Sequence, residues 1–112
     1  MTMIQAQQAE EVRTQIHAGG TVLVDYGAAW CPPCKVLLPI LEELDQEYSG
    51  EAVTIIKVDC DEFPELASEA GVMGMPTVVI YQDGQPMEKL IGLRPKSAYQ
   101  GVLSKYVHSP TF

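Results

Sequence analysis

The chain predicts an α/β fold: one mixed β-sheet with helices on both of its faces. Three observations carry this reading. Short β-branched apolar runs recur along the chain, stretches with helical apolar spacing fill the gaps between them, and an Asp-Gly pair ties the last two strand candidates into a hairpin. Strands separated by helices pair in parallel, whereas a two-residue hairpin pairs antiparallel, so the sheet has to be mixed.

The elements follow in order. The first six residues read as a short strand, and Val12 and Ile16 support a helix over roughly 8–18. "TVLVDYG" (21–27), entered from Gly19-Gly20, reads as a buried strand. From Cys34 to Tyr48, the residues Leu37, Ile40, Leu41, Leu44 and Tyr48 recur at helical spacing and make one apolar stripe. Pro39 falls inside that stripe, and its missing N–H predicts a kink. "AVTIIKVD" (52–59), after a Ser49-Gly50 turn, is the next strand, and residues 63–70 form a shorter helix. "TVVIYQ" (77–82) is closed by Asp83-Gly84, a strong hairpin signal, with "MEKLIG" (87–92) as its antiparallel partner. Tyr99, Val102, Leu103, Tyr106 and Val107 make the stripe of a last helix.

The 112 residues show no repeat, low-complexity tract or Pro/Gly-rich linker, which predicts one domain over 1–112. Hydrophobic residues at 46% and charged residues at 20% suit a globular soluble protein. A net charge of -8 with no offsetting Lys/Arg cluster disfavours nucleic acid. No apolar run approaches the ~20 residues that cross a bilayer. The start, "MTMIQAQQAEEV", has neither a basic nor an apolar leader region, so a cytoplasmic location is expected, where thiols stay reduced. Nothing in the pattern calls for an obligate dimer, and a monomer is expected.

The chemistry concentrates in "YGAAWCPPCK" (26–35), where Cys31 and Cys34 flank two prolines. Three readings compete: a metal clip, a structural disulfide, or a dithiol that opens and closes. The metal reading needs two more ligands, and Cys60, His17 and His108 stand at spacings that match no familiar zinc pattern. A permanent disulfide is disfavoured in a reducing compartment. Redox chemistry fits the placement, because Cys31 sits where a strand's end meets a helix N-terminus, whose partial positive charge favours a thiolate. Cys34, one turn in, lies within bonding reach. The prolines suit a first turn and leave chiefly the Cys34 amide to bind that thiolate. Asp25, inside an apolar run, reads as a buried acid with a raised pKa rather than a solvated strand end. Lys57 reaches either solvent or that acid. Trp30 reads as a shielding and contact residue, and Cys60 as a small apolar residue or an incidental surface thiol.

At "WCPPCK", with Asp25 upstream and "GMPT" (74–77) further on, the chain resembles the thioredoxin family nearly end to end. The resemblance implies the thioredoxin-like fold and a thiol–disulfide oxidoreductase that reduces protein disulfides through a reversible Cys31–Cys34 pair, with no cofactor of its own. It implies Cys31 as the exposed attacking thiol and Cys34 as the more buried resolving thiol. Asp25 matches the acid that exchanges a proton with Cys34, and Lys57 the amine near that acid. Pro76 matches a cis-proline facing the dithiol, Met75 the backbone that pairs with a client chain, and Trp30, Pro33 and Gly92 the rest of the client-binding surface. Implied partners are oxidised client proteins and an NADPH-dependent flavoprotein thioredoxin reductase. Two residues depart from the family pattern: Pro32 replaces a usual glycine, and Gly27 stands where many members carry a large aromatic. An oxidase or isomerase of the same fold, and a non-catalytic binding module, are the alternatives.

Overall fold

The computed structural model describes residues 3–48 and 53–107. In chain order the elements are β1 (Ile4–Gln5), α1 (Ala9–His17), β2 (Thr21–Gly27), α2 (Pro32–Glu47), β3 (Val53–Asp59), α3 (Pro64–Ala70), β4 (Thr77–Gln82), β5 (Gln85–Ile91) and α4 (Lys96–Leu103). Residues 1 and 2 of the expected first strand, the Ser49-Gly50 turn, residue 52 of the strand expected over 52–59, and His108 lie outside the described residues.

The strands form one sheet in the order β1-β3-β2-β4-β5. β1, β3 and β2 pair in parallel, and β4 and β5 add the antiparallel side. β2 is therefore the central strand, and every one of its residues is buried. Its side chains alternate between two cores, as the pleat requires. Val22, Val24 and Tyr26 face α1 and α3, meeting Val12, Ile16 and Leu66. Leu23 faces α2 and α4, meeting Leu37, Leu41, Leu44, Tyr99 and Leu103. Asp25 and Gly27, two and four residues beyond Leu23, belong by the same alternation to the α2 face. The thioredoxin-like α/β architecture expected from the sequence is the observed one.

Element ends differ from the sequence reading where side-chain pattern and backbone geometry part. The hairpin turns on Asp83 (φ 52°) and Gly84 (φ 87°), both left-handed, which is the tight two-residue turn that suits strand twist. So tight a turn makes β5 start at once, at Gln85, earlier than the apolar run at 87 suggested. Pro86 is tolerated because β5 is an edge strand. α4 starts at Lys96 and stops at Leu103, short of the stripe's end. Tyr106 and Val107 still pack on the core from a following turn, held by amides that donate to the Leu103 carbonyl. Pro39 sits within α2 without ending it. No helix among the described residues is long and apolar enough to cross a membrane.

Candidate active site

Cys31 is the N-cap of α2, with Pro32 and Pro33 in its first turn. Neither proline carries an N–H, so the first amide of the helix that can turn back is that of Cys34. It donates to Cys31 Sγ at 3.3 Å and to the Cys31 carbonyl at 3.1 Å. The two sulfurs are joined as a disulfide, with Cα atoms 5.3 Å apart. Ala28 and Met75 pack around the pair. Among the described residues, no three His, Cys, Asp or Glu side chains gather as a metal site would require.

The expectation of an exposed Cys31 and a buried Cys34 is corrected. In the disulfide form the two residues are 4% and 6% exposed, because each sulfur covers the other and Ala28 and Met75 cover both. They differ instead in what they face. Cys31 lines a surface groove of about 400 Å³ with Trp30, Pro33, Val72, Met73 and Met75. Cys34 lines a separate cavity of about 570 Å³ with Asp25, Gly27 and Lys57. The dithiol thus stands between two openings.

Asp25 is 3% exposed, and its Oδ1 is buried with no hydrogen-bond partner among the described residues. Desolvation pushes its pKa up to about 7, and the charge of Lys57 works against that rise. The opposition follows from register: Asp25 on β2 is the direct parallel neighbour of Lys57 on β3. Gly27 lies between Cys34 and this acid. A Cβ at position 27 would lie 3.1 Å from Cys34 Sγ and 3.7 Å from Asp25 Oδ1. An aromatic there would need Cys34 to move.

On the groove side, the Met75–Pro76 peptide bond is cis. Thr77 Oγ1 donates to the Gly74 carbonyl at 2.6 Å and the Gly92 amide to the Pro76 carbonyl at 2.8 Å, which fixes this loop against β5. Trp30 is 65% exposed and is not core. Its Nε1 donates to Asp61 Oδ2 at 2.6 Å, a contact sequence reasoning missed. A signal for it existed: β2 and β3 are parallel neighbours, so the loops after Gly27 and Asp59 emerge side by side. Met73, 96% exposed, was also missed. Cys60 is buried on the opposite face of the sheet, so the surface-thiol alternative falls. Burial pushes its thiol up to about 11.

The comparisons agree with this geometry. The thioredoxin family model matches residues 3–105. Thioredoxin of Listeria monocytogenes is 49% identical over 88 residues, covering 79% of this chain and 84% of that protein. Thioredoxin of Staphylococcus aureus is 46% identical over the same shares. Among solved structures, oxidised mitochondrial thioredoxin 3 of Saccharomyces cerevisiae superposes with a TM-score of 0.81 at 35% identity, covering 91% of this chain and 94% of that one. Oxidised thioredoxin of Plasmodium falciparum gives 0.84 at 31%, covering 94% and 98%. A bonded CxxC pair at a helix N-terminus, in this fold and with these relatives, makes the chain a member of the thioredoxin family: a thiol–disulfide oxidoreductase that reduces protein disulfides with its own redox-active cysteine pair, in a family that works with disulfide-bearing clients and a thioredoxin reductase.

Proposed function

We propose that Cys31 is the attacking thiol, Cys34 the resolving thiol and Asp25 the group that takes the Cys34 proton. The observation that carries this is the position of the dithiol between two openings, with Cys31 on the open groove and Cys34 on the side of a buried carboxyl. Cys31 thiolate attacks one sulfur of a client disulfide, and the other client sulfur leaves as a thiolate and takes a proton. Cys34 then loses its proton to Asp25, attacks Cys31 Sγ and releases the second client thiolate. Two electrons pass to the client, and the protein is left as the Cys31–Cys34 disulfide. Lys57 holds the Asp25 carboxylate within reach of its working range by opposing the desolvation.

The client segment lies in the groove of Trp30, Pro33 and Met75, past Pro76 and Gly92 beside it, and pairs with the Met75 backbone as an added strand. An NADPH-dependent flavoprotein reductase returns the dithiol to its reduced form. The protein thus works as a single-domain monomer in the cytoplasm, in electron transport that maintains cell redox homeostasis. The bacterial relatives support that setting. The test is trapping: Cys34→Ser should accumulate mixed disulfides with client proteins through Cys31, and Cys31→Ser should trap almost none. Labelling of Cys34 ahead of Cys31 by an alkylating reagent, in the reduced protein, reverses the two roles.

A further inference from the structure

Gly27 ends the central strand, and its φ is not positive, so nothing in the backbone demands glycine there. Space does. The Cβ it lacks would stand 3.1 Å from Cys34 Sγ, 3.3 Å from Cys34 Cβ and 3.7 Å from Asp25 Oδ1. The missing side chain therefore leaves open the ground between the sulfur and the carboxyl. That ground is part of the cavity of about 570 Å³, whose inner wall is Asp25, Gly27 and Cys34 and whose rim includes the exposed Gln7, Lys35 and Glu62. Such a volume holds several waters, at roughly 30 Å³ each. The site is polar enough to keep them, because Asp25 Oδ1 is an orphaned buried acceptor and Lys57 stands beside it. The client groove opens elsewhere, around Trp30, Cys31 and Met73.

We propose that Gly27 is a positioning residue for disulfide exchange: by withholding a side chain it keeps a water-filled passage from the surface to Asp25 and Cys34, away from the groove that a bound client covers. The proton given up by the Cys34 thiol moves to the Asp25 carboxylate and from there to water in the passage. The Cys34 thiolate forms its bond to Cys31 Sγ as the Cys31–client bond breaks, and the client sulfur leaves with the electron pair. The passage carries protons only. It lets the resolving step shed its proton while the client still seals the groove. Lys57 from β3, Cys34 from α2 and Tyr99 from α4 face Asp25, whose charge also reaches Cys60 beyond β3. Asp59, Lys35 and Glu62 are the charges around the mouth.

This inference rests on Asp25 taking the Cys34 proton, and the experiment separates the two. Mixed disulfides are formed on the full-length protein, and the rate of client release is followed against pH for wild type, Gly27→Ala, Gly27→Val and Asp25→Asn. The Asp25 carboxyl is titrated by carbon NMR in wild type and the two Gly27 variants, and Cys31 attack on the client is measured separately. Gly27→Val should slow release about tenfold near neutral pH, move the inflection of its pH profile to higher pH together with the Asp25 titration, and leave Cys31 attack unchanged. Gly27→Ala should do the same to a smaller degree. Release that is unaffected in Asp25→Asn overturns the Asp25 reading itself. Release that slows in Asp25→Asn, while folded Gly27 variants keep the wild-type titration and profile, overturns the passage alone. Should the Gly27 variants fail to fold, the wild-type protein still decides: a crystal structure should show an ordered water within about 3.2 Å of Asp25 Oδ1, and a dry cavity overturns the proposal.

Discussion

Asp25 is where one residue sets stability against chemistry. Burial removes water from its carboxyl and lifts its pKa from 3.8 to about 7. A folded-state pKa above the unfolded one means the folded protein holds the proton more tightly. Stability therefore falls as pH rises from about 4 to about 7, and the penalty is complete above that window. Asp25→Ala escapes it. The difference in unfolding free energy between variant and wild type should move in the variant's favour by on the order of 4 kcal/mol between pH 4 and pH 8, whatever small cavity term the deletion adds at both. Urea denaturation at the two pH values measures this, and an unchanged difference would show that burial carries no net desolvation penalty at Asp25. The same variant should release trapped clients about 10²-fold more slowly if the acid takes the Cys34 proton. Cys60 is the contrast. Its thiol is buried and pushed up to about 11, so it is protonated and unreactive at neutral pH. Cys60→Ala should leave insulin reduction within about twofold of wild type, and a large loss would give it a place in the mechanism. The oddity of Asp25 was legible in the sequence, because an acid interrupts an apolar run. The consequence of Gly27 was not. It depends on the direction of a missing Cβ, which only the packing of α2 on β2 reveals.

At the scale of elements, the first turn of α2 decides which amides can reach Cys31 Sγ. The cap position of a helix accepts hydrogen bonds from the second and third helical amides, and here the second is Pro33 and the third Cys34. Only the Cys34 amide reaches Cys31 Sγ. Pro33→Ala should supply a second donor to the thiolate and lower the Cys31 pKa by about half to one unit, the worth of one modest hydrogen bond. Pro32→Ala, at the first helical position, should move it far less, because that amide does not point back at the cap. The pH dependence of thiolate absorbance in the reduced variants checks the pair, and equal shifts would deny the capping geometry. This turn was legible from two prolines after a cysteine, just as the α2 stripe was legible from Leu37, Leu41 and Leu44. The end of α4 was not, because Tyr106 and Val107 reach the same core from a turn as they would from a helix. Apolar spacing records what is buried and is silent on how the backbone delivers it.

Across the whole molecule, the apolar cores and the open groove beside Cys31 lie in different places. Each face of the sheet carries its own apolar cluster under its own pair of helices. Arg13 joins α1 to Glu69 of α3, and Lys96 joins α4 to Glu43 and Glu47 of α2. Solvent screens such ion pairs and leaves them little net worth, so the apolar clusters hold the fold. That layering was legible, since alternation along β2 assigns each side chain to a face. The groove was not, because it gathers Trp30, Val72, Met73 and Met75 from loops whose meeting depends on the finished sheet. Met73 and Leu41 make the division testable. Leu41 is fully buried beneath α2, and Leu41→Ala should cost about 2–5 kcal/mol of unfolding free energy through lost burial and the cavity left behind. Met73 is an exposed thioether at the groove's edge, a flexible apolar side chain that a client bound as proposed would cover. Met73→Ala should leave unfolding within about 0.5 kcal/mol of wild type. Covering a methionine side chain is worth roughly 1.5–3 kcal/mol when complete, so partial cover by a client predicts a rise in KM for a protein disulfide of about tenfold. A small disulfide that reacts at Cys31 without filling the groove should be reduced at the wild-type rate. Equal losses on both substrates would mean that Met73 supports the dithiol itself, and no loss on either would place the client surface elsewhere.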